Sequence, residues 1–331
     1  MTEAPKISIC VITYQHADFI EKCLDSILSQ KLSVPYEIIL GEDGSTDGTR
    51  EICRAYAERH KDKIKLQLRD RDSLASRSVL PGRYNFIETL KSAQGKYVAL
   101  CDGDDYWSDP MKLQEQFDFL ESNSDYILVG HNSMVNENGH EKPNPIKTIQ
   151  GDFIDITTKD LIQRNPFINS MAMFRNIDFE NLFDILNKFT VGDRSLFTFL
   201  SFKGKCRFYA KAVGFYRQHS SSTTSGSRDQ YKKYKKDLIN RLNHASYWND
   251  YSGQKFDLEK NIEVNKRARQ ISNLAMRKFD FKTAVYYSQF IELKDLNKGS
   301  SKLTVWLLKI IYRLTQYLYS KNFGYRIVRI T

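Results

Sequence analysis

The chain has 331 residues, 50 Lys and Arg against 40 Asp and Glu, and a hydrophobic fraction of 41%, enough for one large cored domain with an appendage. Five cysteines, odd in number and without a CxxC pair, exclude a disulfide framework, and six scattered histidines exclude zinc-finger spacing. Met1 to Lys6 lacks the apolar stretch of a signal peptide, so the expected location is the cytoplasm.

In chain order, Ile7–Ile12 is a continuous apolar run suited to a strand buried on both faces. Ala17–Gln30 then places Phe19, Ile20, Cys23, Leu24, Ile27 and Leu28 on one helical face. Tyr36–Leu40 reads as the next strand, and a turn at Gly41–Gly48 leads to a helix over Thr49–His60 with Asp47 at its N-terminus. Ile64–Leu68 is a third strand, Tyr84–Ala93 a helix and Tyr97–Cys101 a fourth strand. Asp109-Pro110 predicts an N-cap with proline at the first helical position, opening a helix to Ser122. This alternation implies an α/β fold whose mostly parallel sheet is covered on both faces and binds ligands at the carboxyl ends of its strands. Thr13-Tyr14, Glu42–Ser45 and Asp102–Asp105 all fall at such ends.

Beyond Ser124 the pattern is mixed, with strands expected at Tyr126–His131, Ser170–Arg175 and Cys206–Phe215 and a helix near Arg194–Phe202. The Ser-, Thr- and Gly-rich stretch Arg217–Gln230 reads as a mobile loop and a boundary, dividing a domain over residues 1–225 from a helical extension over 226–331. A helix pair is expected across Ile262–Phe290, turning near Phe279–Phe281. Charge divides the same way: residues 229–331 hold 21 Lys and Arg against 9 Asp and Glu, while residues 1–228 hold 29 against 31. A basic module of this kind suits an anionic surface. Its last predicted helix, Ser301–Ser320, gathers Leu303, Trp306, Leu307, Ile310, Ile311, Leu314 and Leu318 on one face, flanked by Lys302, Lys309 and Arg313. The basic residues make it a poor membrane span but a good interfacial helix, and packing on the protein's own core is the competing reading.

The most informative stretch is Cys101-Asp102-Gly103-Asp104-Asp105-Tyr106-Trp107. Three carboxylates in four residues at a strand exit repel one another, and a divalent cation bound to a phosphorylated ligand would supply the missing positive charge. Taken in order, VITYQHADFI, GEDGSTDGT, GKYVALCDGDDYW and GDRSLF resemble the motifs of family 2 glycosyltransferases with the GT-A fold, over roughly residues 6–220. The resemblance is to members that build bacterial surface polysaccharides.

That resemblance implies roles for particular residues. Asp102 and Asp104 form a DxD element, with Gly103 between them: Asp102 would hold ribose, and Asp104 would ligate Mn2+ or Mg2+ with Asp105 as an auxiliary carboxylate. Asp43 would accept the base-edge N–H of the nucleotide, and Thr13 and Tyr14 would wall the base pocket. Gly82, Arg83 and Asn85 occupy a loop that contacts the nucleotide in relatives. Asp193 would be the general base that takes the acceptor hydroxyl's proton, although a helix N-cap is the bland alternative. Arg217 would contact the diphosphate, His219 would reach the metal, and Trp107 would offer a flat platform to the acceptor or donor sugar.

The expected activity is metal-dependent, inverting transfer of a sugar from a nucleoside diphosphate donor, a UDP-sugar, to a hydroxyl of a glycan, a lipid-linked one, at the cytoplasmic face of the inner membrane. The expected partners are thus the nucleotide sugar, the glycan and an anionic membrane surface, with no nucleic acid. A processive synthase is disfavoured by the lack of a multi-span membrane region and of a Gln-x-x-Arg-Trp motif. The alternative from another class is a non-catalytic nucleotide- or glycan-binding module with a basic tail.

Overall fold

The apolar run Ile7–Thr13 forms strand β1, with Ile7, Ile9 and Val11 fully buried. It belongs to the sheet of a computed structural model that describes residues 4–71, 81–137, 139–144, 149, 151–189, 192–219, 230–292 and 305–313. The further strands are β2 (Tyr36–Glu42), β3 (Ile64–Leu68), β4 (Tyr97–Asp102), β5 (Tyr106–Trp107), β6 (Tyr126–Glu137), β7 (His140–Pro143), β8 (Phe153–Ile156), β9 (Ala172–Arg175) and β10 (Lys205–Gln218). They make one ten-stranded sheet in the order β3-β2-β1-β4-β9-β6-β10-β5, with β7 on β6 and β8 on β10. β1 pairs in parallel with β2 and β4, and β2 in parallel with β3. The chain therefore builds outward from β1 on one side and then crosses to β4 on the other, which makes the gap beyond β1 a topological switch point. β9 is antiparallel to both β4 and β6, so the sheet is mixed beyond that point.

The helices of this unit are α1 (Ile20–Leu28), α2 (Thr49–Arg59), α3 (Pro81–Lys91), α4 (Lys112–Ser122), α5 (Thr158–Gln163), α6 (Glu180–Lys188) and α7 (Gly192–Ser201). α1 buries Ile20, Cys23, Leu24 and Ile27 against the sheet, in the same core as Ile9, Val11, Leu40 and Ala99. α4 starts two residues later than an Asp109 cap predicts. The Asp109 carboxylate accepts the Met111 N–H (2.8 Å) and pairs with Lys211 (2.7 Å), so Pro110 lies in the turn before the helix. Strands β5, β7 and β8 were not expected. β5 is two residues long, and β7 and most of β8 are exposed, so neither carries apolar alternation. β10 runs on through Gln218, into the stretch read as a loop; residues 220–229 lie outside the described residues.

The chain divides into two compact units, Met1–Gly226 and Ser227–Thr331. The second contains α8 (Gln230–Tyr251), α9 (Asp257–Arg277) and α10 (Phe281–Ser288). α9 and α10 meet at Phe279, a non-glycine residue at φ +57, and Asp280 caps α10 by accepting the Thr283 N–H (3.2 Å). The other Asp280 oxygen accepts from the Tyr231 hydroxyl (2.6 Å) and Lys235 (2.8 Å), tying α8 to this turn and holding the carboxyl well below the usual carboxylate range. Residues 305–313 are helical, and Val305 packs with Ala268 and Ile291 while Trp306, Leu307 and Ile311 stay exposed. The expected apolar stripe is thus divided, with Leu303, Leu314 and Leu318 outside the described residues. Among the described residues no helix is long and apolar enough to cross a membrane.

Candidate active site

The register of the sheet brings three polar stations to one edge. Thr13 ends β1 opposite Glu42 of β2, and Ile12 stands opposite Asp102 of β4, so Asp43 and Gly103 follow on either side of Thr13. Their backbones are tied to β1: the Asp43 N–H donates to the Thr13 carbonyl (3.1 Å) and the Gly103 N–H to the Ile12 carbonyl (2.8 Å).

The loop after β2 uses one acid to fix itself and leaves the next with a long ion pair to Arg71 and no hydrogen bond among the described residues. Glu42 accepts the Ser45 N–H (2.6 Å) and pairs with Arg50 (2.5 Å). Asp43 is 1% exposed, and among the described residues neither of its carboxylate oxygens has a hydrogen-bond partner. Burial pushes its pKa up to about 6, against the pull of Arg71, whose Nε is 3.7 Å away. The Arg71 guanidinium lies 3.6 Å over the half-exposed ring of Tyr14, so Tyr14, Arg71 and Asp43 form one wall. Asn85 is not free to join it. Its amide donates to the Gly41 carbonyl (2.8 Å) and its oxygen accepts from Arg69 (3.3 Å), which makes it a buried brace for β2. Gly82, Arg83 and Asn85 lie on helix α3 and not on a loop, and Arg83 is buried, its pKa lowered by burial and raised in part by Asp193.

The three carboxylates after β4 part company. Asp102 accepts from Asn169 (2.9 Å), and burial together with the charge of Asp104 pushes its pKa up to about 7. Asp104 points its Oδ2 at two imidazoles, His219 Nε2 at 3.1 Å and His16 Nε2 at 3.8 Å. Asp105 turns inward and accepts from the Ser170 hydroxyl (2.5 Å) and the Arg217 N–H (2.9 Å). It braces the end of β10 against the acidic turn, and its oxygens are not among the ligand atoms gathered at Asp104. Gly103 must be glycine for packing: a Cβ there would lie 2.6 Å from Thr13 Oγ1 and 3.1 Å from His16 Nδ1.

Arg217 also secures this turn from its side chain, donating to the Asp104 carbonyl (2.9 Å) with its guanidinium 4.5 Å over Tyr106. Asp193 lies in the first turn of α7, where its carboxylate accepts the Arg194 N–H (2.7 Å) and acts electrostatically on both Arg83 and Asp102. Gly192 makes this approach feasible, since a Cβ there would already stand 3.2 Å from Arg83 Nε. Trp107 does not fit the role of a sugar platform. It is 4% exposed and part of the core, its indole N–H donates to the Ser170 carbonyl (2.6 Å), and Lys112 Nζ covers its face at 3.9 Å.

The edge thus gathers Thr13, Tyr14, Asp43, Asp102, Gly103, Asp104, Arg217 and His219, with Asp193 within electrostatic reach. Reading the sequence missed His16, Arg71, Asn169 and Ser170. His16 could have been noticed, because it lies two residues beyond Tyr14 in the same motif. Ligand atoms of His16, Asp104 and His219 all lie within 4.8 Å of one another. A carboxylate oxygen with imidazole nitrogens is a donor set that divalent cations take, so these residues fit a metal.

Residues 8–197 match the family described as glycosyl transferase family 2. A Nostoc sp. protein, the uncharacterized glycosyltransferase alr2836, is 26% identical over 278 residues, covering 79% of this chain and 81% of that one. The chain spans only about a third to a half of the length of the first curated relatives it matches, Mycobacterium and Bacillus proteins that are 33% to 36% identical over 125 to 136 residues. Among solved structures, S. aureus TarS 1-349 in complex with UDP-GlcNAc superposes with a TM-score of 0.53 at 16% identity, covering 97% of this chain and 93% of that one. The mannosyltransferase PcManGT from Pyrobaculum calidifontis, in complex with GDP-Man and Mn2+, does so at 0.51 and 17%, covering 96% and 84%. Identities this low establish the fold, GT-A, and nothing finer.

Proposed function

Because the chain belongs to glycosyl transferase family 2, we propose that it moves one sugar, with inversion, from a UDP-sugar to a hydroxyl of a lipid-linked glycan during assembly of a surface polysaccharide. The observation that carries this reading is the buried Asp43 carboxylate with no hydrogen-bond partner, facing the same sheet edge as the Asp104–His219 pair. A buried acceptor left unpaired is costly, and a nucleobase N–H would relieve that cost. The two stations flank β1, about two strand spacings or ~10 Å apart, a reach comparable with that from a base edge across ribose to a diphosphate.

In this reading Thr13 and Tyr14 wall the base, Asp43 accepts its N–H, and Asp102 takes a ribose hydroxyl. Asp104 and His219 hold a divalent cation, which when bound offsets the charge of the departing diphosphate. Arg217, clamped between Asp105 and Tyr106, keeps the acidic turn in place and turns its remaining N–H groups toward phosphate. Asp193 accepts the proton of the acceptor hydroxyl as that oxygen attacks the anomeric carbon, a role supported by its electrostatic reach to Asp102. Residues 1–225 supply all of these groups. The basic extension over 226–331 holds the enzyme at the cytoplasmic face of an anionic membrane, which the exposed Trp306, Leu307 and Ile311 beside Lys309 and Arg313 support.

Hydrolysis of a panel of nucleotide sugars with and without Mn2+ tests the core of the proposal. A metal-dependent preference for one UDP-sugar that vanishes in Asp104→Ala is the expected result. Tight donor binding without turnover on any sugar would point to the non-catalytic binding module instead. Co-sedimentation with anionic vesicles, lost on deletion of residues 301–331, tests the membrane assignment separately.

A further inference from the structure

Resting on that reading, we infer that His16 is a third protein ligand of the cation at Asp104 and His219. The result is a centre of two imidazoles and one carboxylate that selects Mn2+ or another first-row transition cation over Mg2+. Both imidazoles present Nε2 to the same oxygen, Asp104 Oδ2, at 3.8 Å from His16 and 3.1 Å from His219. Their rings stand edge to face, 6.1 Å between centroids at 88°, so the two nitrogens approach from different directions. Neither residue is sealed off: the His16, His219 and Asp104 side chains retain 17%, 11% and 18% exposure, enough for an ion to enter.

The surroundings of His16 are those of a ligand held in place. Its Nδ1 lies 3.2 Å from the Thr13 hydroxyl oxygen. With the proton on Nδ1, donated to that oxygen, Nε2 keeps its lone pair directed at Asp104; second-shell bonds of this kind fix the tautomer of metal-binding histidines. The backbone is fixed as well, because the His16 N–H donates to Thr49 Oγ1 (2.8 Å), and that hydroxyl donates in turn to Asp47 (2.6 Å). Phe19 packs against His219, tilted by 38° at 4.5 Å between centroids, and meets His16 edge-on at 6.3 Å, limiting the rotation of both rings. The glycine of the DxD element then has a reason, since any side chain at Gly103 would press into Thr13 and His16.

The donor set dictates the selectivity. Mg2+ is hard, keeps its waters and favours carboxylate and phosphate oxygens, whereas imidazole favours the later first-row divalent ions. Two nitrogens to one carboxylate therefore bias the site away from Mg2+.

The test uses the full chain with UDP as the probe nucleotide. Calorimetry should show Co2+ and Mn2+ binding more tightly than Mg2+. His16→Ala should cost Co2+ affinity about 10–100-fold while leaving Mg2+ little changed, and Thr13→Val, which removes the outer hydrogen bond and alters the base wall alike for every cation, should lower the preference for Co2+ over Mg2+ about tenfold. Pulsed EPR of bound Mn2+ needs no variant and should show two directly coordinated imidazole nitrogens in the wild type and one in His16→Ala. A single nitrogen in the wild type, or undiminished Co2+ binding by His16→Ala when Asp104→Ala has lost it, overturns the role of His16 and leaves the transferase reading intact. Failure of the wild type with UDP to bind any of the three cations defeats both.

Discussion

Asp43 after β2 and Asp105 after β4 lie at the same edge of the sheet, each is 1% exposed, and burial pushes the pKa of each upward. They differ in what touches them. Asp105 accepts from the Ser170 hydroxyl and the Arg217 N–H, while among the described residues the Asp43 oxygens accept no hydrogen bond and Arg71 Nε stands 3.7 Å away. A buried carboxylate with partners on both oxygens joins two segments of chain. One with none raises the energy of the fold and persists where a ligand supplies the donor. The same residue type, at equal depth on either side of β1, therefore serves architecture in one loop and, in the proposed function, recognition in the other. Asp193 is the third case, an acid placed at the site with a local helix-end bond and an electrostatic hold on Asp102.

The largest effect expected from this contrast is at Asp193. Asp193→Asn keeps a side chain that can accept the Arg194 N–H, so the first turn of α7 should persist, but it removes the proton acceptor. Transfer should slow by about 10²–10⁴-fold in kcat, with donor KM little changed. Steady-state kinetics with a competent donor and acceptor decide this, and an unaltered kcat returns Asp193 to a helix-end role.

Next come the two matched acids, for which opposite results are expected. Asp105→Ala leaves the Ser170 hydroxyl and the Arg217 N–H without their acceptor and should cost about 2–3 kcal/mol in urea unfolding. Asp43→Ala removes a buried charge that had no hydrogen bond, so at neutral pH the free protein should be as stable as the wild type or more so. Donor affinity, by contrast, should fall about 10–100-fold, the worth of a hydrogen bond to a charged group. Equal loss of stability in both variants would show that Asp43 too is a structural partner, and the recognition role would fall with it.

How much of this was legible beforehand follows the physics of each element. β1 and β4 are covered on both faces, so their sequences are nearly unbroken apolar runs, and the polar residues at their ends stand out. β5, with two residues, and β7, exposed throughout, leave no such trace. The DxD acids were visible as a cluster, but their division of labour was not, because it depends on Asn169 and Ser170, more than sixty residues away. Trp107 was misplaced for a related reason. An aromatic after a strand can face a ligand or the core, and here the Ser170 carbonyl and the Lys112 ammonium decide for the core. His16 was in view within its motif, but its meeting with His219 needed the convergence of the β1 loop with the end of β10, which no local pattern records.

A pH dependence sharpens the Asp43 assignment. In the unfolded chain an aspartate ionises near its ordinary 3.8, whereas in the folded protein Asp43 holds its proton up to about 6. Between those values the folded state binds more protons, so raising the pH through this window removes stability, by at most about 3 kcal/mol once Asp43 is fully ionised. Donor binding should run the other way. Only the ionised carboxylate is a full acceptor for a base N–H, so affinity for a UDP-sugar, whose diphosphate does not titrate here, should rise about tenfold per pH unit up to ~6 and then level off. Urea unfolding and donor titration from pH 4.5 to 7.5, with the wild type and Asp43→Ala side by side, separate Asp43 from Asp102, whose own raised pKa of about 7 is common to both proteins. The difference between the two stability curves should open from pH 4 to 6 as that between the affinity curves closes in on its plateau, and parallel curves in either measurement would mean that the Asp43 proton plays no part in holding the donor.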